Sequence, residues 1–194
     1  MIGEIVETNT LGFRAGSVEL HRPPALGELV KVRHQEHGRW YAVVIYGTTG
    51  AEAGRHVVRR ATPDVRDEAI YRENPQLRRL LHTLFEARLV GWQEGDRLWH
   101  TLPPLPPPLH YSVYPCSAEE VAEFSERLHY FRLLLEPPPP LPAEQVLAAH
   151  IRHVYAQRGY DDEWLGRAAR EVAGLLKEDY ARLMGLLYAI DPER

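Results

Sequence analysis

Hydrophobic and polar residues alternate along the first stretch of the chain, residues 2–8 (IGEIVET), which predicts a strand. Residues 27–32 (GELVKV) predict a second strand that is entered through a turn at Gly27, and residues 40–46 (WYAVVIY) are the most β-prone run of the sequence. Glycines or prolines separate these stretches. A two-residue period is typical of strands that bury one face. Residues 10–16 contain two glycines and predict a turn that leads into a further short strand at 16–20. Short strands at this density favour a small closed or nearly closed barrel.

The hydrophobic period changes within residues 67–92. Asn74 followed by Pro75 predicts a short helix that starts there with Asn74 as its N-cap. From Phe85 onward, apolar and polar residues alternate as in a strand. A helix is therefore expected to lead directly into a strand. The helical part is indicated by apolar residues at helical spacing, namely Leu77, Leu80, Leu81 and Leu84.

A hairpin and a proline-rich segment follow this strand. Residues 93–96 predict the turn of a β-hairpin whose second strand covers 97–102. Residues 103–108 are mostly proline, which predicts an extended, polyproline-like segment. Residues 110–114 then form the last candidate strand.

The remainder of the chain carries helical patterns. Ser117 and Glu120 form a capping-box pattern, which predicts a helix from 118 to about 129. Residues 130–135 fit either a continuation of that helix or a final strand. Residues 137–140 are successive prolines, which fit neither element and predict a stiff linker. Apolar stripes after this linker predict two or three further helices.

Together these patterns predict an α+β fold, in which a small N-terminal β-barrel with an inserted short helix is followed by a C-terminal helical bundle. The barrel domain with its trailing helix is assigned to residues 1–136, the proline linker to 137–141 and the helical domain to 142–194. A bundle this short has little core of its own. We therefore expect it to pack on the barrel or on a second copy of the chain.

Composition narrows the function classes. The chain is 44% hydrophobic and 26% charged, and its formal net charge of -4 argues against a globally basic nucleic-acid binder. No apolar run approaches the roughly 20 residues of a membrane span. No secretory signal precedes the first strand, so we expect a cytoplasmic protein without a membrane partner. Cys116 is the only cysteine, which excludes an internal disulfide, and we expect it to be a partly buried thiol.

The sequence contains no recognisable catalytic constellation. Residues 46–54 (YGTTGAEAG) invite comparison with a phosphate loop, but a Walker loop places Lys and Ser or Thr directly after its second glycine. Here Ala51 and Glu52 occupy those positions, so we interpret the segment as a glycine-rich barrel turn. We expect neither enzymatic activity nor a cofactor.

Two histidine pairs have a spacing that could ligate a metal ion. They are His34 with His37, and His150 with His153 at helical spacing. Neither pair has a third ligand nearby in the sequence. We therefore interpret them as surface or partly buried histidines and predict no metal site.

Arginines between residues 55 and 79 form the main basic concentration. The planar guanidinium group suits phosphate contacts, and Trp40, Tyr41 and Tyr46 offer aromatic faces on which bases could stack. These features predict a single-stranded nucleic-acid-binding barrel as one function. Its candidate contacts are Arg55, Arg59, Arg60, Arg78 and Arg79.

Several segments resemble the HAS-barrel domain, the small β-barrel at the N-terminus of HerA-type DNA translocases and a relative of the barrel in rotary ATP synthase subunits. The resemblance covers roughly residues 1–128. The segments that carry it are IGEIVETNT, GELVKV, WYAVVIYG, YRENPQL leading to FEARLVGW, and the proline-rich run before YSVYPCSAEEVAEF.

This resemblance implies a role in assembly and docking. The family is associated with hexameric translocating ATPases that work with a NurA-type nuclease on DNA ends. Where a translocase would continue into its ATPase domain, this sequence has a proline linker and helices. The resemblance therefore implies a non-catalytic docking or assembly protein. Its expected partners are a HerA-like ATPase, a NurA-type nuclease or further copies of itself.

Overall fold

The computed structural model describes residues 1–34, 38–51, 66–135 and 142–191. Within these ranges the strands are β1 (Gly3–Thr8), β2 (Gly12–Ser17), β3 (Leu29–His34), β4 (Gly38–Ala51), β5 (Leu81–Glu94), β6 (Arg97–Trp99) and β7 (Ser112–Pro115). The α-helices are α1 (Ile70–Glu73), α2 (Leu77–Leu80), α3 (Ala118–Phe124), α4 (Phe131–Leu134), α5 (Ala143–Gln157), α6 (Asp162–Leu175) and α7 (Tyr180–Ile190).

Six of these strands close into an antiparallel barrel. The ring runs β1-β2-β5-β4-β3-β7 and returns to β1 through the β1–β7 pairing. β6 pairs only with β5, where the two form the predicted hairpin. Closure pairs both edges of each strand in the ring. The expected α+β fold with a barrel and C-terminal helices is confirmed.

Alternating side chains fill the barrel. Because successive side chains of a strand point to opposite faces, the sequence alternation selects one inward set per strand. The proline-rich segment lies against this barrel: the Trp40 indole donates to the Leu105 carbonyl at 3.0 Å, and the Thr8 hydroxyl donates to the Pro107 carbonyl at 3.0 Å. The buried interior consists of Ile5, Phe13, Ala15, Val30, Val32, Trp40, Ala42, Val44, Phe85, Ala87, Leu89 and Val113.

A second apolar layer joins the helices to part of the outer barrel wall. Tyr41 packs on Phe124 of α3 with ring centroids 4.8 Å apart. The Trp164 indole of α6 donates to the Ser125 carbonyl at 2.9 Å. The wall contributes Leu29, Tyr41, Val43 and Val90 to one continuous buried cluster with α3 to α7. The expectation that the helices pack on the barrel is therefore confirmed.

Gly27 marks the tightest junction between barrel and helices. Its φ of +83° lies in the left-handed region, and a Cβ there would overlap the backbone of Ala149 and His150 in α5. The His150 ring spans this junction, since Nδ1 lies 2.7 Å from the Gly27 carbonyl and Nε2 lies 2.8 Å from the Tyr130 hydroxyl. A carbonyl oxygen only accepts, so Nδ1 carries the proton and Nε2 accepts from Tyr130.

The helix predicted at Asn74 differs from the structure. Asn74 ends α1, and its side-chain amide donates to the Ile70 carbonyl at 3.1 Å instead of capping a new helix. α2 is a single turn, and Leu81 and Leu84 already belong to β5. The reason is non-local: β4 pairs with β5 as far as Ala51 opposite Leu81, and this pairing outweighs the local helical spacing.

Two glycine-containing segments predicted as turns are strands. Residues 12–16 lie in β2, which pairs on both sides, and the turn is shorter and earlier, at residues 9–12. A Cβ at Gly12 would overlap the Ala87 carbonyl oxygen, so this glycine permits close strand approach. Gly47 and Gly50 extend β4, so the glycine-rich barrel turn predicted at 46–54 is wrong as far as Ala51. Residues 52–54 lie outside the described ranges.

The helical predictions hold better. The capping box at Ser117 and Glu120 is present, but α3 already ends at Phe124. The ambiguous residues 130–135 contain the helical turn α4 and no strand. Asp161 caps α6 through the Trp164 amide at 2.9 Å. The predicted linker at 137–141 lies outside the described ranges, so the domain boundary stays a prediction.

Candidate functional site

A groove of about 670 Å³ crosses the outer barrel wall on a face that the described helices α3 to α7 do not line. Arg14 of β2, Thr48 of β4 and His82 of β5 lie along it, and Arg78 of α2 borders it. Their outward direction follows from the strand alternation, because the neighbours of Arg14, Phe13 and Ala15, fill the barrel interior.

The side chains that line this groove are basic, hydroxylic or apolar. No aspartate or glutamate is among the described lining residues. Nε of Arg14 is buried, and no hydrogen-bond partner for it lies in the described part of the chain. A buried donor without an acceptor costs about 1–3 kcal/mol. An anion bound in the groove would supply that acceptor.

As far as the described residues go, the floor of the groove is open. An added Cβ at Gly16 of β2 or at Gly50 of β4 would meet none of their atoms within 4 Å. Val6, Val18 and Leu84 add apolar surface to the walls. The groove therefore offers both cationic and apolar contacts to an extended ligand.

A smaller cavity with two carboxylates adjoins the groove. It has a volume of about 200 Å³ and shares Arg14, and its lining also includes Glu7, Glu86 and Arg88. Glu7 on β1 and Glu86 on β5 stand opposite Arg14 in register, one on each side of β2. Nε of Arg14 has no hydrogen-bond partner among the described residues, these two carboxylates included. Both carboxylates line this cavity, and neither lines the groove.

The predicted nucleic-acid contacts separate in the structure. Arg78 lines the groove, whereas its neighbour Arg79 is exposed and does not. Arg55, Arg59 and Arg60 lie outside the described residues.

The structure also changes the set of candidate contacts. Trp40 and Tyr41 are buried, which removes them as stacking faces for bases, while Tyr46 is exposed. Arg14 and His82 were missed by the sequence interpretation. The signal for Arg14 was the alternation of Phe13, Arg14 and Ala15, which the predicted turn obscured.

Cations on the opposite, covered wall have partners within the chain. Lys31 is buried and pairs with Glu120 of α3, and Arg39 lies 3.3 Å from the same carboxylate. Burial opposes ionisation of Glu120. The hydrogen bonds from Lys31 and from the Ser117 amide, with the charges of Lys31 and Arg39, outweigh it and lower the pKa of Glu120. This cluster ties α3 to β3 and β4 and has a structural role.

Other candidate reactive groups are structural. Burial raises the pKa of the Cys116 thiol to about 12, which makes it a poor nucleophile and agrees with the expected partly buried thiol. His34 stacks on Tyr111, and His150 is fully buried at the helix junction. Among the described residues no group of three or more His, Cys, Asp or Glu could hold a metal ion. His37 lies outside the described ranges.

A second uncovered surface lies on α7. Tyr180, Met184 and Tyr188 occupy one face at intervals of four residues, and they are 73%, 46% and 66% exposed. We call these three residues the α7 stripe. The opposite side of α7 is fixed to α5, since Arg182 donates to Glu144 and Arg152 donates to the Ala189 carbonyl.

Comparisons with known proteins give no family for this chain: no family model matches it, and no curated protein matches it. Within the described ranges, each helix falls short of the length and apolar character that a bilayer crossing requires.

Proposed function

We propose that this chain is a non-catalytic docking or assembly protein of the cytoplasm. Its barrel module would engage a HerA-like ATPase or a NurA-type nuclease in DNA processing. The choice of partner rests on the resemblance of its strand segments to HAS-barrel domains. The observation that carries the docking role is the exposed α7 stripe.

The α7 stripe has the composition of a protein contact surface. Large apolar side chains that line up on one exposed helix face form a continuous patch, and such patches on proteins commonly mark interaction sites. Tyrosine and methionine are among the residues enriched at interfaces. Because one ion pair and one hydrogen bond fix α7 to α5, its free face is a preformed surface that a partner could cover without rearranging the helix.

A glycine in the middle of α7 supports this interpretation. Gly185 follows Met184 on the exposed side, and a Cβ there would meet no atom within 4 Å. A glycine inside a helix costs about 0.8–1 kcal/mol relative to alanine, and no packing among the described residues explains it. Close approach of a partner backbone to this face would do so.

The docking function is tested by sedimentation velocity with the purified HerA-like ATPase and the purified NurA-type nuclease of the same host. We expect the wild-type chain to associate with one of them. We expect Met184→Glu to weaken that association at least about tenfold, because a charge would be buried in an apolar contact. Leu11→Glu is the matched control, since Leu11 is also 46% exposed but lies on the β1–β2 turn.

Two results would count against parts of this proposal, and a third would favour assembly over docking. If the wild-type chain binds neither protein at micromolar concentration, the partner assignment is wrong. If Met184→Glu and Leu11→Glu bind equally well, the α7 stripe is not the contact surface. If the chain alone sediments as a dimer that Met184→Glu dissociates, the stripe serves assembly of further copies.

A second function, single-stranded nucleic-acid binding, is favoured by a separate observation. The groove on the uncovered barrel wall contains Arg14 and Arg78 without a protein partner among the described residues and without a carboxylate in its described lining. This function and the docking function use different surfaces, so the two proposals are independent.

A further inference from the structure

We infer that the groove binds the sugar–phosphate backbone of a single strand of nucleic acid, with Arg14 and Arg78 as its phosphate ligands. This inference rests on the second function proposed above and adds the site, the ligand residues and the direction of the strand. The proposed site is not the arginine cluster predicted from the sequence. It is the groove that is lined by residues of β1, β2, β4, β5 and α2.

The surroundings of the Arg14 side chain favour binding of a phosphate group. Arg14 belongs to β2, and pairing with β1 and β5 on both sides fixes the position of its backbone. Nε is withdrawn from water and has no acceptor in the described residues. Guanidinium groups bind phosphate oxygens through two parallel hydrogen bonds, and such charge-assisted bonds are stronger than neutral ones. A phosphate group satisfies both the charge and the orphaned donor.

The groove is long enough for more than one phosphate group. It spans four strands, from Val6 of β1 to Thr48 of β4, and adjacent strands lie about 4.8 Å apart. Three such spacings give about 14 Å, which exceeds the size of one phosphate group. Cations at Arg14 and Arg78, with apolar side chains in the same groove, suit a chain in which phosphates and bases repeat.

Base stacking is not the main contact that this groove offers. No Trp, Tyr or Phe belongs to the described lining. Barrels that bind single strands through stacking present aromatic faces. The contacts here are therefore with phosphates, and binding should depend little on base sequence and strongly on salt.

The cavity with Glu7 and Glu86 sets the direction of the strand. Its two carboxylates balance the charges of Arg14 and Arg88, so it has no excess positive charge to attract a phosphate. The groove contains Arg14, Arg78 and His82 and no carboxylate in its described lining. A bound strand should therefore leave Arg14 toward α2 and not cross into the cavity with the carboxylates.

The test is fluorescence anisotropy of a labelled oligothymidylate of about 12 nucleotides, titrated with the full chain at low salt. Arg14→Gln and Arg78→Gln should each weaken binding about fivefold or more. Arg79→Gln is the matched control, because Arg79 is the next residue on the same helix turn but does not line the groove. It should change affinity less than about twofold, within the spread of surface substitutions.

Salt dependence gives a second readout that general destabilisation would not produce. For single strands, log Kobs falls with log salt by about 0.7 per phosphate contact. The slope should therefore shrink by about 0.7 in Arg14→Gln and in Arg78→Gln, and stay unchanged in Arg79→Gln. Arg14→Lys keeps the charge but loses the two-donor fork, so it should restore the slope more fully than the affinity.

The outcomes separate the site from the function. If the wild-type chain binds the oligomer but neither groove variant weakens it, the groove assignment is wrong and nucleic-acid binding stands. If the wild-type chain does not bind at low salt, the nucleic-acid function fails together with the groove. If inorganic polyphosphate, duplex DNA or polyglutamate competes as well as the unlabelled strand, the groove is a general anion site and the single-strand inference is overturned.

Discussion

Basic side chains on the helix-covered side of the barrel wall have partners within the chain, whereas Nε of Arg14 on the uncovered side has none among the described residues. On the side covered by helices, Lys31 is buried against Glu120, and Arg88 donates from Nε to the Leu133 carbonyl at 3.0 Å. On the uncovered side, Nε of Arg14 is buried without an acceptor in the described chain. Burial of a charged group is costly unless a partner is supplied. On the covered wall, the helices supply acceptors for the basic side chains. In the groove, we expect a bound ligand to supply the acceptor for Arg14.

The same contrast applies to glycine. Gly27 on the covered side lies against the α5 backbone, whereas an added Cβ at Gly185 on α7 would meet no atom within 4 Å. A glycine that the packing requires cannot be replaced without cost. A glycine that the packing of this chain does not require can be replaced with a gain, unless a partner needs the space.

Gly27→Ala should produce the largest loss of stability. The new Cβ would overlap the backbone of Ala149 and His150, and the residue would be held at a φ of +83°. We expect a loss of about 4 kcal/mol or more in the free energy of unfolding, measured by urea denaturation. Gly95→Ala is the control: its φ of +56° is also left-handed, but nothing lies within 4 Å, so it should cost about 1 kcal/mol. Equal losses of unfolding free energy in both variants would show that the α5 backbone does not pack tightly against Gly27.

Stability should also fall on mild acidification because of His150. Burial, opposed by the hydrogen bond to Gly27, lowers the pKa of His150 to about 3. The unfolded chain protonates this ring near pH 6.5 and the folded chain does not, so the stabilisation is complete above about pH 6.5 and declines below it. At about 1.4 kcal/mol per pH unit, His150 should account for about 2 kcal/mol of lost stability between pH 6.5 and pH 5.

Two measurements check this pH dependence. Urea denaturation across that range gives the slope of the unfolding free energy, to which the half-buried His100 and His153, whose pKa values are also lowered, add in the same direction. NMR of the imidazole resonances isolates His150. If the His150 ring titrated near pH 6.5 in the folded chain, water would reach the junction between Gly27 and α5. The helices would then not cover the barrel wall at that point.

The elements that the sequence predicted correctly are those with local causes. The capping box of Ser117 and Glu120 depends on residues three positions apart, and it occurs in the structure. Alternation of polar and apolar residues located β1, because one buried face imposes a two-residue period. The glycine turn before residue 28 located β3, and the β-prone run at 40–46 located β4. The closed barrel followed from short strands and turns, and its confirmed α+β class needed no knowledge of strand order.

The errors arose where distant pairing decides the conformation. Asn74 and Pro75 have the local pattern of a helix start, but β4 pairs as far as Leu81 and shortens the helix to one turn. Gly12 and Gly16 have the local pattern of a turn, but β5 pairs with both of them and β1 pairs with Gly16. Nothing near these residues in the sequence records those partners.

The candidate groove was only partly foreseen for the same reason. Arg78 was found because it lies in an arginine-rich stretch, and Arg79 was included with it although the helix turns it away from the groove. Arg14 stands far from that stretch in sequence and meets Arg78 only through the pairing of β2 with β5. Charge clustering along a chain does not reveal clustering across strands.

Gly185→Ala should have the smallest effect on stability and the opposite sign. Because no atom lies within 4 Å of the added Cβ, the helix gains alanine propensity, and we expect the unfolding free energy to rise by about 0.8 kcal/mol. Gly166→Ala in α6 is the control, since it is also helical and its Cβ is equally unobstructed. Both variants should be stabilised to a similar extent, but only Gly185→Ala should weaken association with the docking partner in sedimentation velocity. If it associates as well as Gly166→Ala, no partner backbone approaches Gly185, and the glycine does not mark a contact surface.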